Sequence, residues 1–344
     1  MKLKRIFAAV LCVVMVLALA ACGGSGSSNN SNAAAPAGDG AEQTFNLKLS
    51  HGLAEDHAVH IAMTAWAAEV AEKSGGTINI QIFPNATLGS EADNLNQIAS
   101  GALDMAKVSA STIGNFKSEW NVVSVPYVFN DKDHYYKVMD GEIAQDLYKL
   151  TENDGFLGLT WLDSGSRSFY TAKTAIRTPA DLKGLMIRTM DSQMAIDMMN
   201  ALGGSSKVMG YGDIYTAMQQ GNVDGAENNI TAMRDHADVT QYYCFDEHTR
   251  IPDIVVISTK VWNSMSDSQR AVMTETAAAM TESYKTAWAD FEDEIRAAAI
   301  EKGVEFIEDV DIPAFQAACQ SIYDNLKSSD PAVYAYVERI QAAG

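Results

Sequence analysis

The polar chemistry of this 344-residue chain is concentrated in two arginines and one short run. Arg188 stands inside the apolar stretch GLMIRTM, and Arg167 follows another in WLDSGSRSFYT. A guanidinium among Met and Ile is unfavourable to bury unless it faces an acid. That acid is either internal, with Asp163, Asp181 and Asp191 as examples, or a ligand carboxylate, which the planar fork of arginine suits. Residues 210–229, GYGDIYTAMQQGNVDGAENN, then deliver Asp224, Glu227, Asn228 and Asn229 within six positions. Such density suits helix capping or the polar edge of a pocket, and Asn229, directly before ITAMRDHADV, fits either role.

The motifs of catalysis are missing. The chain has no GxSxG, no HExxH, no phosphate loop and no GxGxxG. Its six histidines are scattered, and only His57 and His60 share a helical spacing. Two imidazoles make a poor metal site, and a place at a helix start or cap is the plainer reading. Cys244 and Cys319 have no metal-ligand spacing and read as buried thiols, with a disulfide permitted by the compartment. No cofactor and no metal are expected. The residues point to binding.

The start of the chain sets that compartment. MKLKR is basic, Ile6 to Ala20 is apolar, and Leu19-Ala20-Ala21-Cys22 ends the stretch with small residues before a cysteine. Residues 1–21 read as a secretory signal, too short to span a membrane stably. Gly23 to Gln43 is Gly, Ser, Asn, Ala and Pro with only Asp39 and Glu42 charged, a composition that cannot bury a core. About 20 such residues form a coil with a root-mean-square span of roughly 25 Å, so residues 22–44 read as a tether. Losing Lys2, Lys4 and Arg5 with the signal shifts the formal charge from −19 to −22. Nucleic acid is thereby excluded as a partner, because a phosphate footprint needs clustered Lys and Arg. An anionic small molecule is still compatible, since charges beyond about 8 Å are screened at physiological salt.

The elements that must position the arginines follow from periodicity. Phe45, Leu47 and Leu49 alternate, Ala58 to Lys73 is helical, and Ile78, Ile80 and Ile82 alternate up to Pro84. Glu91 to Ser100 is a helix stopped at Gly101, and LDMAKVS follows as a strand. Phe156–Leu162, Gly184–Thr189 and Ile254–Ser258 read as strands, Ser192–Leu202 and Asp213–Gln220 as helices. In the last of these, Tyr211, Ile214, Tyr215 and Met218 share a face and Gly221 is the stop. Strands alternating with helices argue for an α/β fold with a largely parallel sheet, in which clefts lie at the carboxyl ends of strands. Asp267 to Lys302 has neither Gly nor Pro, opens on a capping box of Ser266 and Gln269, and would reach about 54 Å as one helix. It either bridges two lobes or breaks near Trp288.

In this order, SGGTINIQIFPNATLGSE, GALDMA, VPYVF, GSRSFYTAKTAIRTPADLKGLMIR, YGDIYTAMQQGNVDGAENN and EHTRIPDIVVIS resemble the solute-binding proteins of tripartite ATP-independent periplasmic (TRAP) transporters over essentially all of Phe45 to Ala343. LAAC likewise resembles a lipobox, which implies cleavage before Cys22, lipidation of its sulfur and an extracytoplasmic protein anchored to the outer face of the bacterial cytoplasmic membrane. The resemblance implies a two-lobed α/β periplasmic-binding-protein-like fold with a ligand cleft between the lobes and a long helix shared by both. Lobe I comprises 45–165 and 255–292, lobe II 166–254 and 293–344. It implies that Arg188 makes a two-pronged bond to a ligand carboxylate. Arg167, Asn228, Glu91, Ser109 and Tyr211 are the other implied cleft positions, with His57 and Asp191 at variable ones and Glu227 and Asn229 as weaker candidates. Met186 stands where the family often has lysine, which should not affect the bond itself. The implied partners are a small organic acid and a membrane permease. Acceptors such as Glu91 favour a sugar acid, especially a hexuronate; a C4-dicarboxylate, a sensor role or an enzyme for acidic sugars are the alternatives.

Overall fold

The computed structural model describes residues 42–344; the expected signal, Cys22 and the tether up to Ala41 lie outside the described residues. The chain runs β1 (Phe45–Ser50), α1 (Ala58–Lys73), β2 (Ile78–Phe83), α2 (Glu91–Ser100), β3 (Met105–Ser109), α3 (Ala110–Ile113), α4 (Lys132–Met139), α5 (Glu142–Lys149) and β4 (Phe156–Leu162). It then forms β5 (Arg167–Thr171), β6 (Met186–Thr189), α6 (Gln193–Ala201), β7 (Ser205–Val208), α7 (Ile214–Gln219), β8 (Gly225–Asn228), α8 (Met233–His236) and β9 (Tyr242–Thr249). β10 (Asp253–Ser258), α9 (Thr259–Ser264), α10 (Asp267–Glu301), β11 (Glu305–Ile307), α11 (Ile312–Ser329) and α12 (Pro331–Ala343) complete it.

The strands form two sheets, ordered β2-β1-β3-β10-β4 and β11-β9-β5-β8-β6-β7. The expectation of a largely parallel sheet needs one correction in each. β10 runs antiparallel to β3 and β4, and β5 antiparallel to β8 and β9. Both reversed strands enter directly from the other sheet, through residues 163–166 and 250–252. Without a helical crossover to turn the chain back, neither is held to the parallel direction. Every other pairing is parallel.

Three devices place the site. First, α10 starts at the expected Ser266–Gln269 capping box and is continuous, about 52 Å long by its rise per residue. Met273, Ala277, Met280, Tyr284 and Trp288 pack in the core of the first sheet with α1, while Ile295 and Ala299 pack in that of the second. One helix therefore serves both sheets. The end of the expected tether docks at its start, where Glu42 accepts from Ser268 Oγ at 2.6 Å and also from Ser266. Second, α7 opens as a 3-10 turn at Tyr211–Asp213, buries Ile214, Ala217 and Met218, and stops at Gly221, whose φ of +69° favours glycine.

Third, β8 is pinned on both sides. The Asp224 carboxylate accepts from Met186 N at 2.8 Å, and Gly225 pairs with Thr171. A Cβ on Gly225 would sit 2.2 Å from the Tyr170 carbonyl oxygen and 3.0 Å from Thr171 Cα, both backbone atoms. Only glycine permits that approach. Gly225→Ala is therefore expected to destabilise the protein by about 1–3 kcal/mol through overpacking, read as a lower melting temperature in thermal denaturation.

Candidate functional site

A cavity of about 460 Å³ lies between the two sheets. Its walls are residues just beyond the carboxyl ends of β1, β2 and β3 on one side and of β6, β7 and β8 on the other, as the open-sheet rule requires. Arg188, Arg167, Asn228, Glu91, Ser109, Tyr211, His57 and Asp191 all line it, as does Asn229; Glu227 lies behind. The eight expected cleft positions thus come together, although they are drawn from residues 57 to 228.

Arg188 is buried, with 3% of its surface exposed. β6 carries it between Lys207 of β7 and Ala226 of β8. Its Nε donates to the Met209 carbonyl at 3.0 Å. None of the internal acids suggested by sequence pairs with it. Asp163 accepts from Tyr136 and Gly165 N, Asp181 caps Arg177 and Thr178, and Asp191 uses its backbone oxygen on Asn115. No ion pair at Arg188 forms among the described residues. Burial holds its pKa below the ordinary arginine value, and the more distant Glu227 only partly offsets this. The side chain is a cation with both terminal nitrogens uncommitted at the wall of a cavity.

Arg167 has the opposite arrangement. Its Nε donates to Glu227 Oε2 at 2.6 Å, Nη1 to Asn228 Oδ1 at 2.6 Å and Nη2 to the Glu227 carbonyl at 2.7 Å. The internal ion pair considered for an arginine of this site therefore exists, but at Arg167 and with Glu227. Glu227 also faces His248 Nε2 at 3.3 Å, whose Nδ1 faces Asp246 Oδ2 at 2.6 Å. Burial pushes His248 down, but Asp246 and Glu227 more than reverse it and raise it to about 9. Burial likewise raises Glu227, and Arg167 with His248 outweighs that, to about 2. Two cations and two anions thus form a buried, formally neutral network across β5, β8 and β9. Asn228 uses its Oδ1 on Arg167 and on Asn229 N at 2.9 Å, which leaves its amide NH₂ uncommitted. Asn229 caps the turn after β8, accepting from Thr231 N at 3.1 Å, so the two roles open to it coincide.

The facing wall is built on Lys107, which is not among the expected cleft positions. Its side chain is 4% exposed, and its Nζ lies 3.2 Å from Glu91 Oε1 and 3.0 Å from Asp253 Oδ1. Burial opposes its charge, and the two carboxylates restore and raise its pKa. Glu91 Oε2 accepts from Ser109 N at 3.1 Å and Thr112 Oγ1 at 3.2 Å. Ser109 begins α3 with its hydroxyl uncommitted. The three side chains sum to a formal −1 when all are ionised, but burial, despite Lys107, raises the pKa of Asp253 above the ordinary carboxylate value.

His57 is the buried N-cap of α1 rather than a surface residue. Its Nδ1 accepts from Val59 N at 3.2 Å, so the proton sits on Nε2. Burial, then Lys107 and Arg234, lowers its pKa to about 3, and at neutral pH it is an uncharged donor. His60 shares no site with it; it meets His51 at 3.0 Å instead. Tyr211 lines the cavity, packs its ring 5.1 Å from that of His236 and donates from its hydroxyl to Asp235 at 2.8 Å. Asp191 is an exposed rim residue. Lys107, Asp253 and Trp288 line the cavity without having been expected. Only Lys107 carries a local sign, a lysine inside the apolar strand LDMAKVS. Cys244 and Cys319 are buried and unpaired, and no group of three His, Cys, Asp or Glu among the described residues is placed to hold a metal. No described helix is long and apolar enough to cross a membrane.

Residues 49–330 match the family described as bacterial extracellular solute-binding protein, family 7. The uncharacterized protein YiiZ of Salmonella typhimurium is 40% identical over 280 residues, 80% of this chain and 85% of that one. Two solved structures of TRAP periplasmic solute-binding proteins superpose closely. One, from Anaerococcus prevotii with bound α/β-D-glucuronate, has a TM-score of 0.84 at 32% identity and covers 88% of this chain and 98% of its own. The other, from a Bradyrhizobium species in complex with α/β-D-galacturonate, has 0.83 at 32% identity and covers 87% and 100%.

The buried network makes a pH prediction. His248 has a folded pKa raised above its unfolded value, so its contribution is fully present below about pH 6.5 and is lost as pH rises through about 9. At about 1.4 kcal/mol per pKa unit the loss is at most about 3–4 kcal/mol. The melting temperature of the ligand-free protein is expected to fall between pH 7 and 9.5. In His248→Gln it should be lower at pH 7 and nearly flat over that range, which differential scanning fluorimetry can check.

Proposed function

The chain belongs to the bacterial extracellular solute-binding proteins of family 7, a TRAP-transporter component, and from that premise we propose that it captures a hexuronate such as glucuronate or galacturonate and delivers it to a TRAP membrane permease. The observation that carries this reading is Arg188, a buried cation that faces a cavity and has no ion-pair partner among the described residues. A ligand carboxylate supplies the missing charge and accepts from both terminal nitrogens. The volume of about 460 Å³ falls within the range of small-molecule sites, roughly 300–1,000 Å³.

The rest of the cavity suits hydroxyls better than a second carboxylate. One charge-assisted contact is worth roughly 1.5–3 kcal/mol net, short of the about 8 kcal/mol of micromolar binding. Glu91 and Asp253 offer acceptors, and Asn228 Nδ2 and neutral His57 Nε2 offer donors. The Glu91–Lys107–Asp253 wall has its one cation already engaged by two carboxyl groups, so it offers nothing to a dicarboxylate's far end. Tyr211 supplies an apolar face for the sugar ring. The solved relatives with glucuronate and galacturonate support the same class. Lipidation at Cys22 would hold the protein at the outer face of the membrane. The cleft binds without turnover, so ligand recovered after prolonged incubation is expected unchanged.

Thermal shift with glucuronate, galacturonate, succinate and malate tests the class: stabilisation is expected from the uronates, and stabilisation by the dicarboxylates alone would refute it. Arg188→Ala is expected to weaken uronate binding at least about 100-fold by calorimetry, while the ligand-free melting temperature stays the same or rises, because an unpaired buried cation is removed. Arg167→Ala should instead lower the ligand-free stability by about 3–5 kcal/mol, since it strands Glu227.

A further inference from the structure

Among the described residues two contacts cross the cleft mouth, one beside residues that line the cavity and one made by a residue that lines it. The first joins Asp56, in the segment between β1 and α1, to Arg234 of α8. Asp56 is the neighbour of His57. Arg234 Nη1 is held at 2.9 Å by Asp235, and Asp235 accepts from the Tyr211 hydroxyl at 2.8 Å. An unbroken polar chain therefore runs Tyr211–Asp235–Arg234–Asp56, from a residue that lines the cavity after β7 to the residue just before the N-cap of α1, His57. At the second contact Asn115 Nδ2, after α3, donates to the Asp191 carbonyl at 3.0 Å.

The exposures argue against a role in the fold itself. The Asp56 side chain is 73% exposed and that of Arg234 20%, so the aspartate supports little core. Asp235 already satisfies Arg234 within its own segment, leaving the second arm free for a partner that is present only when the two walls are together. A contact made only in the closed arrangement retards exit of the occupant and leaves entry unchanged.

We propose that Arg234 and Asp56 form a cross-cleft latch, with Asp235 as the positioning residue that couples the latch to Tyr211, so that occupancy of the cavity and closure of the mouth reinforce each other. This rests on the cleft being the acid-binding site. An exposed pair of this kind contributes modestly, and partial burial of Arg234 places the expected effect at about 3- to 10-fold in the dissociation rate.

The test is stopped-flow tryptophan fluorescence, for which Trp288 in the cavity wall is the reporter, using whichever acid of the panel most raises the melting temperature. Asp56→Asn and Arg234→Met should each speed dissociation about 3- to 10-fold, with association within 2-fold of the unaltered protein. The double variant should be no faster than either single one. Arg339→Met, which breaks the exposed pair with Asp146 on a different face, should change neither rate. Unchanged dissociation in both variants, additive effects, or a change carried by association would overturn the latch. A second arm separates this outcome from failure of the ligand assignment. In Arg234→Lys, carbodiimide should couple the new amine to Asp56 as a zero-length cross-link seen by peptide mass, with higher yield when the acid is present. If no acid binds, the assignment of the cleft fails while the cross-link still judges the bridge; absence of the cross-link overturns the bridge in either case.

Discussion

Arg188 is a positive charge taken out of water with no ion-pair partner among the described residues, Glu227 acting on it only from a distance. That state is unfavourable on its own, and the surrounding architecture keeps it in place. β6 lies between β7 and β8, which fixes its backbone on both sides, and the Met209 carbonyl takes only one of its donors. Rotation toward a neighbouring acid would need one within reach, and Asp163, Asp181 and Asp191 are each engaged elsewhere or face outward. The fold withholds an internal partner, and binding energy becomes available to an external one.

Arg167 shows why two nearby arginines are not equivalent. It is surrounded by Glu227, Asn228 and, one residue further back, the His248–Asp246 pair. Its charge is already balanced, so it contributes a rigid floor and orients the Asn228 amide. The opposite wall follows similar logic with a different sum. Lys107 between Glu91 and Asp253 leaves at most one excess negative charge, because burial raises the pKa of Asp253. A cavity with an unbalanced cation at one end and a slightly negative, acceptor-rich wall at the other discriminates by shape of charge: one carboxylate and several hydroxyls fit it.

Much of this was legible in the sequence because it is local. The periodicity of α1, α2 and β4 gives their observed limits, and the Ser266–Gln269 box gives the start of α10. Arg188 announced itself as a charge in an apolar strand. Direction and pairing were not legible, because they depend on contacts distant along the chain. Nothing local tells that β5 and β10 run against their neighbours, since that follows from their arrival from the other sheet. The partner of Arg167 is 60 positions away, and Lys107 meets Asp253 across a still longer separation. Lys107 bore the same mark as Arg188 in its strand, yet the opposite meaning, and only the presence of two carboxylates beside it separates the two.

The most direct measurement is a crystal structure of the protein grown with D-glucuronate. The sugar carboxylate should lie on the two terminal nitrogens of Arg188, with the ring against Tyr211 and hydroxyls on Glu91 and Asn228. A carboxylate bound instead to Lys107, or an Arg188 turned away to pair with a protein acid while the sugar lies elsewhere, would contradict it.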